Sequence, residues 1–219
     1  MSSAHPRYPA PGQAWYILAT VFLAYMFSSI DRQILTLMVE PVRADLHLSD
    51  FEMSLLQGLA FSMLYCIVAL PLARLSDFKS RRKIIAAGAA VWCLMTALCG
   101  FAKTFSHLFM ARMGVGVGEA TLGPAAASLI SDCFPPEKRG FAFSVYHLGQ
   151  PLGGGLALVI GGAILGALEG IEIVSLGFFG EFRPWQLAFI LVGLPGLIIV
   201  VLMHTFAEPK RRGLVHTKA

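Results

Sequence analysis

Residues 51–83 read FEMSLLQGLAFSMLYCIVALPLARLSDFKSRRK. The stretch from Phe51 to Ala73 carries a single charge, Glu52. A run of about 20 mostly apolar residues is long enough to cross roughly 30 Å of hydrocarbon. The next ten residues, 74–83, hold Arg74, Lys79, Arg81, Arg82 and Lys83 against one acid, Asp77. An apolar run closed by a cationic turn is the signature of a membrane helix whose end stays in the cytoplasm.

The same pattern repeats along the chain. Of 219 residues, 56% are hydrophobic and 14% charged. A soluble domain carries about 25% charged residues, so this composition excludes a disordered chain, a disulfide-knit domain and most soluble enzymes. Six apolar runs reach spanning length: 14–38, 51–73, 84–102, 108–131, 141–168 and 185–206. Facing lipid, backbone polar groups must be bonded within their own segment, so each run is expected to be a helix. Continuous apolar runs do not fit the alternating strands of a membrane barrel. The reading is an all-α membrane protein with a tail over 1–13, a six-helix bundle over 14–206 and a linker or tail over 207–219. The bundle's surroundings are membrane lipids in a bacterial-type inner membrane.

Orientation follows from Lys and Arg. Twelve lie before the first run or after the second, fourth and sixth; three, Arg43, Lys103 and Arg183, lie on the opposite side. Both termini are therefore expected in the cytoplasm. The +4 net charge sits in short loops between apolar runs, which argues against a nucleic-acid partner. The four cysteines show no CxxC spacing and the six histidines no pair at metal-binding spacing, so no metal or cofactor is expected.

Several polar residues fall inside the runs. A charge at membrane depth costs at least about 2.5–3.5 kcal/mol, so it normally faces a cavity or a partner. With a rise of about 1.5 Å per residue, Asp31 in the first run and Arg112 in the fourth both lie roughly 24 Å from the cytoplasmic edge, and Glu119 roughly 14 Å. Arg112 and Glu119 are two turns apart on one helix face. This spacing fits a carboxylate–guanidinium–carboxylate set, either a titratable relay or a buried ion pair that fixes packing. Arg32 either joins the set or snorkels to the outer interface. His147 and Gln150 in the fifth run are further polar candidates for a cavity wall. Gly116, Gly118, Gly149 and Gly153 suit close helix approach. Pro151 is expected to kink or open the fifth helix.

These residues and loops together resemble the major facilitator superfamily, whose fold pairs two six-helix halves. Residues 73–83, ARLSDFKSRRK, are similar to its loop signature between the second and third helices. Leu75, Asp77, Arg81 and Arg82 match, and Ala73, Phe78 and Ser80 depart. The role this implies is a charged latch formed by Asp77, Arg81 and Arg82. Residues 112–118, RMGVGVG, resemble the fourth-helix signature, which implies proton-linked transport. Within the superfamily the chain resembles the spinster-like family, through Asp31-Arg32, GVGEA at 116–120, ISDCFPPEKRG at 130–140, WQLAF at 185–189 and GLPG at 193–196.

The resemblance implies one half, a 3+3 inverted repeat, of a secondary transporter. Its cargo would be a lipid-like or hydrophobic small amphiphile, with Asp31, Arg112 and Glu119 as the coupling network. The partner it implies is a second six-helix half or a second copy, since residues 208–213 read as the linker between halves. A proton-linked organic-anion symporter shares these features. A non-transporting six-helix protein is a third reading. A membrane enzyme has no support, because no HExxH and no Ser–His pairing falls at membrane depth.

Positions 80 and 138 are expected in the cytoplasm and positions 45 and 172 outside. Single cysteines placed there in a cysteine-free background test this with a membrane-impermeant thiol reagent. Labelling of position 172 only after lysis would contradict the orientation.

Overall fold

The computed structural model describes residues 8–167, 170–171, 173–175 and 181–212. The outer positions Glu169 and Glu172, and both extreme ends of the chain, lie outside the described residues. The chain folds into helices α1 (Pro11–Leu37), α2 (Val39–Leu46), α3 (Asp50–Phe78), α4 (Arg81–Cys99), α5 (Phe105–Glu119), α6 (Leu122–Cys133), α7 (Pro136–Ala167) and α8 (Pro184–His204). A two-residue antiparallel hairpin, β1 (Val174–Ser175) with β2 (Glu181–Phe182), precedes α8.

Among the described residues, five helices are long and apolar enough to cross a membrane: α1, α3, α4, α7 and α8. The fourth apolar run differs from the single helix that its composition suggests, because it divides into α5 and α6. Pro124 has no N–H to give the carbonyl of Ala120, and the Thr121 hydroxyl donates to the Gly118 carbonyl at 2.8 Å. Both effects withdraw partners from the helical ladder at that turn. A milder interruption falls at Leu148 in α7. It lies beside His147, whose carbonyl the imide nitrogen of Pro151 leaves without its usual partner. Leu55–Leu59 form one wide π-type turn inside α3, and Leu194–Leu197 a tight turn inside α8.

Two apolar clusters fill the bundle. One, nearer the basic turns, contains Ile17, Val21, Ile85, Trp92, Leu129 and Met203. The other contains Ile34, Met38, Leu56, Leu108, Trp185 and Phe189. In sequence the break between them falls at Ser28 and Ser29 on α1, just before Asp31, at Thr96 on α4 and at Arg112 on α5, so a polar layer separates the two. The least buried of the five spanning helices are α3 and α7.

Small residues let the helices meet backbone to backbone. A methyl group on Gly116 of α5 would stand 2.4 Å from the Phe61 carbonyl of α3, and one on Gly153 of α7 would stand 2.4 Å from the Met26 carbonyl of α1. Gly118 abuts Trp92 on α4, and Gly149 abuts the Phe22 carbonyl on α1. Such crowding forces main chain, not a flexible side chain, to move. Gly153→Ala is therefore expected to cost about 1–3 kcal/mol and to lower the melting temperature in detergent by several degrees. Gly155→Ala, with nothing within 4 Å of the added methyl, should melt like the parent. Equal melting of the two variants would contradict this packing.

Candidate functional site

Helix α1 carries Ser28, Ser29, Asp31 and Arg32 within two turns, and these side chains reach residues of α3, α4, α5 and α7. Asp31, Arg112 and Glu119 are each no more than 2% exposed. Glu119 accepts from the Ser28 hydroxyl at 2.6 Å and pairs with Arg32 Nε at 3.3 Å. Arg32 Nη2 also donates to Ser28 at 3.2 Å. The Arg32 side chain thus turns into the bundle toward Glu119, not outward to the interface.

Asp31 and Arg112 meet in a different way from that expected of a level carboxylate and guanidinium. Arg112 Nη1 donates to the backbone carbonyl of Asp31 at 3.3 Å, while the Asp31 carboxylate accepts from Thr96 at 3.2 Å. Among the described residues, Asp31 Oδ1, Glu119 Oε1 and Arg112 Nε have no hydrogen-bond partner. The two guanidiniums share an aromatic neighbour: Arg32 lies 5.8 Å and Arg112 5.9 Å from the Phe61 ring centre. The group comprises two acids and two arginines, so it balances in charge with spare hydrogen-bonding capacity on three members.

Glu119 and Arg32 border a cavity of about 170 Å³ whose wall includes Tyr25, Tyr65, Tyr146 and His147. Tyr25 stacks on Tyr146 at 4.7 Å, and the His147 ring stands edge-on to both, at 5.9 and 5.1 Å. Gln150 faces the same region: its side-chain oxygen accepts from Tyr25 at 2.8 Å, and its backbone carbonyl accepts from Ser29 at 2.8 Å. Ser28, Thr96 and Tyr25 do not stand out when the sequence is read alone. The signal for Ser28 was its position one helical turn before Arg32, which lets both reach one acceptor.

A second charged cluster closes the basic end. Arg81, fully buried, pairs with Glu208 at 2.9 Å and with Asp132, and donates to Ser128 and to the Pro209 carbonyl, each at 2.9 Å. Ser80 donates to Glu208, Arg82 to the Phe206 carbonyl, and Arg211 to the carbonyls of Asp77 and Lys79. The Arg212 amide donates to Asp132 at 3.0 Å. The segment after α8 is thereby tied across the turn between α3 and α4. Arg81 and Arg82 are in this cluster, but Asp77 enters it through its backbone oxygen, and its side chain is exposed. Asp132 and Glu208 supply the carboxylates. Burial pushes the Glu208 acid up, but hydrogen bonds from Ser80 and Arg81 outweigh it and hold the carboxyl below the usual glutamate range.

Asp132→Ala leaves Arg81 half-compensated and is expected to cost up to about 3 kcal/mol. Asp77→Ala, which removes an exposed carboxylate, should stay within about 0.5 kcal/mol. Because the folded Glu208 value is depressed, its contribution is present above the ordinary glutamate value and lost as pH falls through the folded one. The acid-side fall in thermal stability should therefore shrink in Glu208→Gln. Equal melting of Asp132→Ala and Asp77→Ala would contradict the assignment.

Residues 21–218 match the Major Facilitator Superfamily. The chain is 27% identical over 199 residues to an MFS-type efflux pump of Mycolicibacterium smegmatis, covering 91% of this chain and 43% of that protein. It is 28% identical over 194 residues to the hexuronate transporter of Bacillus subtilis, covering 89% of this chain and 42% of that one. Among solved structures it superposes on a bacterial homologue of the human lysosomal transporter Spinster, inward-facing and unoccupied. The TM-score there is 0.84 with 32% identity, over 93% of this chain and 45% of that one. The chain spans less than half the length of these relatives.

Proposed function

The chain belongs to the Major Facilitator Superfamily, a transporter family, and from that membership we propose that it is one half of a proton-coupled secondary transporter for a lipid-like or hydrophobic amphiphile. It is a multi-pass, membrane-embedded protein. The observation that supports coupling is the pair of buried acids, each with one oxygen lacking a partner, in a charge-balanced group at membrane depth. Ionisable residues in such a place mark ion and substrate pathways.

Glu119 is the proton carrier in this reading. It borders the cavity, whereas Asp31 is held against Thr96 on the other side of α1. When Glu119 is ionised, Arg32 and Ser28 bond to it. When it is protonated, Arg32 is released toward the cavity and an anionic head group can take its place. Proton and substrate thus use the same guanidinium, and each state of Glu119 favours a different arrangement of α1 against α5. Asp31 keeps Thr96 and the α1 backbone in register with Arg112. The clamp at the basic end, centred on Arg81, stabilises one conformation of the bundle, with both termini in the cytoplasm of a bacterial-type cell. The weakly buried faces of α3 and α7 are the surfaces offered to a second six-helix half or a second copy.

A second reading, a proton-linked organic-anion symporter, is favoured by the two arginines in the polar layer, since a guanidinium matches a carboxylate in a planar, bidentate way. Competition between a lysophospholipid and a hexuronate for uptake distinguishes the two.

Glu119→Gln, which keeps the shape of the protonated acid, is expected to lose proton-driven accumulation in a twelve-helix transporter carrying this half, while exchange of bound substrate persists. Asp31→Asn should lower both, because it removes the charge of a buried acid that holds Thr96 and lies beside Arg112. Proteoliposome flux with and without a proton ionophore measures this. Full gradient coupling in Glu119→Gln would overturn the proton-carrier role.

A further inference from the structure

A separate cavity of about 470 Å³ lies at the basic end, where the chain enters α1 and where α6 passes into α7. Its wall is formed by Tyr8, Pro11, Trp15, Phe134, Lys138 and Phe141, among others. Trp15 stands edge-on to Phe134 at 5.5 Å and to Phe141 at 6.1 Å. Phe134 is buried, but Trp15 is 46% and Phe141 65% exposed, so the aromatic wall opens outward. Exposed Trp and Phe at the end of a spanning bundle occupy the level of lipid head groups.

The cavity rim is cationic. Lys138 lines it, Arg139 beside it donates to the Phe134 carbonyl at 3.0 Å, and the Arg212 guanidinium covers the Tyr8 ring at 3.4 Å. Both helices that begin here, α1 and α7, carry proline in the first turn and no side-chain cap. Their first-turn N–H groups and dipoles add to the positive field. Glu137, exposed, is the one acid among the described residues of the wall. None of these residues belongs to the buried charge group or to the clamp around Arg81, apart from Arg212.

We propose that this cavity is a docking site for an anionic phospholipid of the leaflet at the basic end. Its phosphate lies against Lys138 and the first turns of α1 and α7, and the upper part of its acyl chains lies along Trp15, Phe134 and Phe141. Charge complementarity selects the head group, and the aromatic wall accepts the glycerol and upper chain. A bound lipid at this place braces the start of α1 against the start of α7, the two helices that contribute Arg32 and His147 to the transport cavity.

The test uses the intrinsic fluorescence of Trp15, since Trp92 and Trp185 are buried. The chain is placed in nanodiscs of phosphatidylcholine containing increasing fractions of brominated phosphatidylglycerol or brominated phosphatidylcholine. Phosphatidylglycerol should half-quench at a mole fraction about fivefold lower, the factor corresponding to one interfacial cation. Lys138→Gln should remove most of that preference and Lys138→Arg should retain it. Lys210→Gln, which removes an exposed cation at the same end but outside the cavity, should also retain it. Equal quenching by both lipids, or an equal loss in Lys138→Gln and Lys210→Gln, would overturn the proposal.

Discussion

The contact between Arg32 and Glu119, made at 3.3 Å and shared with Ser28, carries much of the weight in this bundle. In an apolar interior an isolated charge is far costlier than a paired one, and removing one partner of a buried pair strands the other. The pair therefore constrains how α1 and α5 sit against each other. It explains why α1 places serine at 28 rather than a larger apolar residue: the hydroxyl donates to the acid and accepts from the guanidinium. It also bears on the close contacts nearby. Gly116 on α5 touches the α3 backbone and Gly153 on α7 touches the α1 backbone, and such approach brings a side chain as long as Arg32 within reach of both Glu119 and the Phe61 ring.

The second pair of charges is joined less tightly. Arg112 spends a donor on the backbone of Asp31, and the Asp31 carboxylate turns to Thr96. A fully bonded network rigidifies its surroundings, and a partly bonded one leaves groups ready to change partners. The unused oxygens of Asp31 and Glu119 and the unused nitrogen of Arg112 are of the second kind. At the basic end the bonding is denser: Arg81 uses all three side-chain nitrogens, on Asp132, Glu208, Ser128 and the Pro209 carbonyl, although Arg82 Nε beside it has no partner among the described residues. A firm clamp at one end and an under-bonded charge group at depth suit a bundle that moves as a unit about a switchable centre.

Much of the architecture was legible in the sequence. Apolar length located the five helices that, among the described residues, are long and apolar enough to cross a membrane, because the bilayer imposes a minimum run that soluble helices do not need. The remaining run expected to span, the fourth, is the one that divides into α5 and α6. The same reasoning did not foresee the break between α5 and α6, where hydropathy is uninterrupted and only Thr121 and Pro124 signal it. Depth arithmetic brought Asp31, Arg112 and Glu119 into one region, since a helix converts residue number into height. It did not assign the pairs, because partner choice depends on rotation about the helix axis and on small neighbours. Ser28 joins Arg32 on Glu119, and Thr96 takes the Asp31 carboxylate, which leaves Arg112 on the Asp31 backbone carbonyl. At the basic end, Asp77 stood out as an acid among cations, yet the carboxylates that meet Arg81 come from Asp132 and Glu208, distant in sequence and adjacent only once α6 and the end of α8 are in place.

The proposed coupling depends most on Glu119 changing its protonation inside the membrane. Infrared difference spectroscopy of the chain in lipid, recorded as pH is stepped downward, reads this directly through the carbonyl stretch of a protonated carboxylic acid shielded from water. The expected result is a band that grows as pH falls, is absent in Glu119→Gln and remains in Glu137→Gln, which alters an exposed acid. A band of unchanged size in Glu119→Gln would contradict the account.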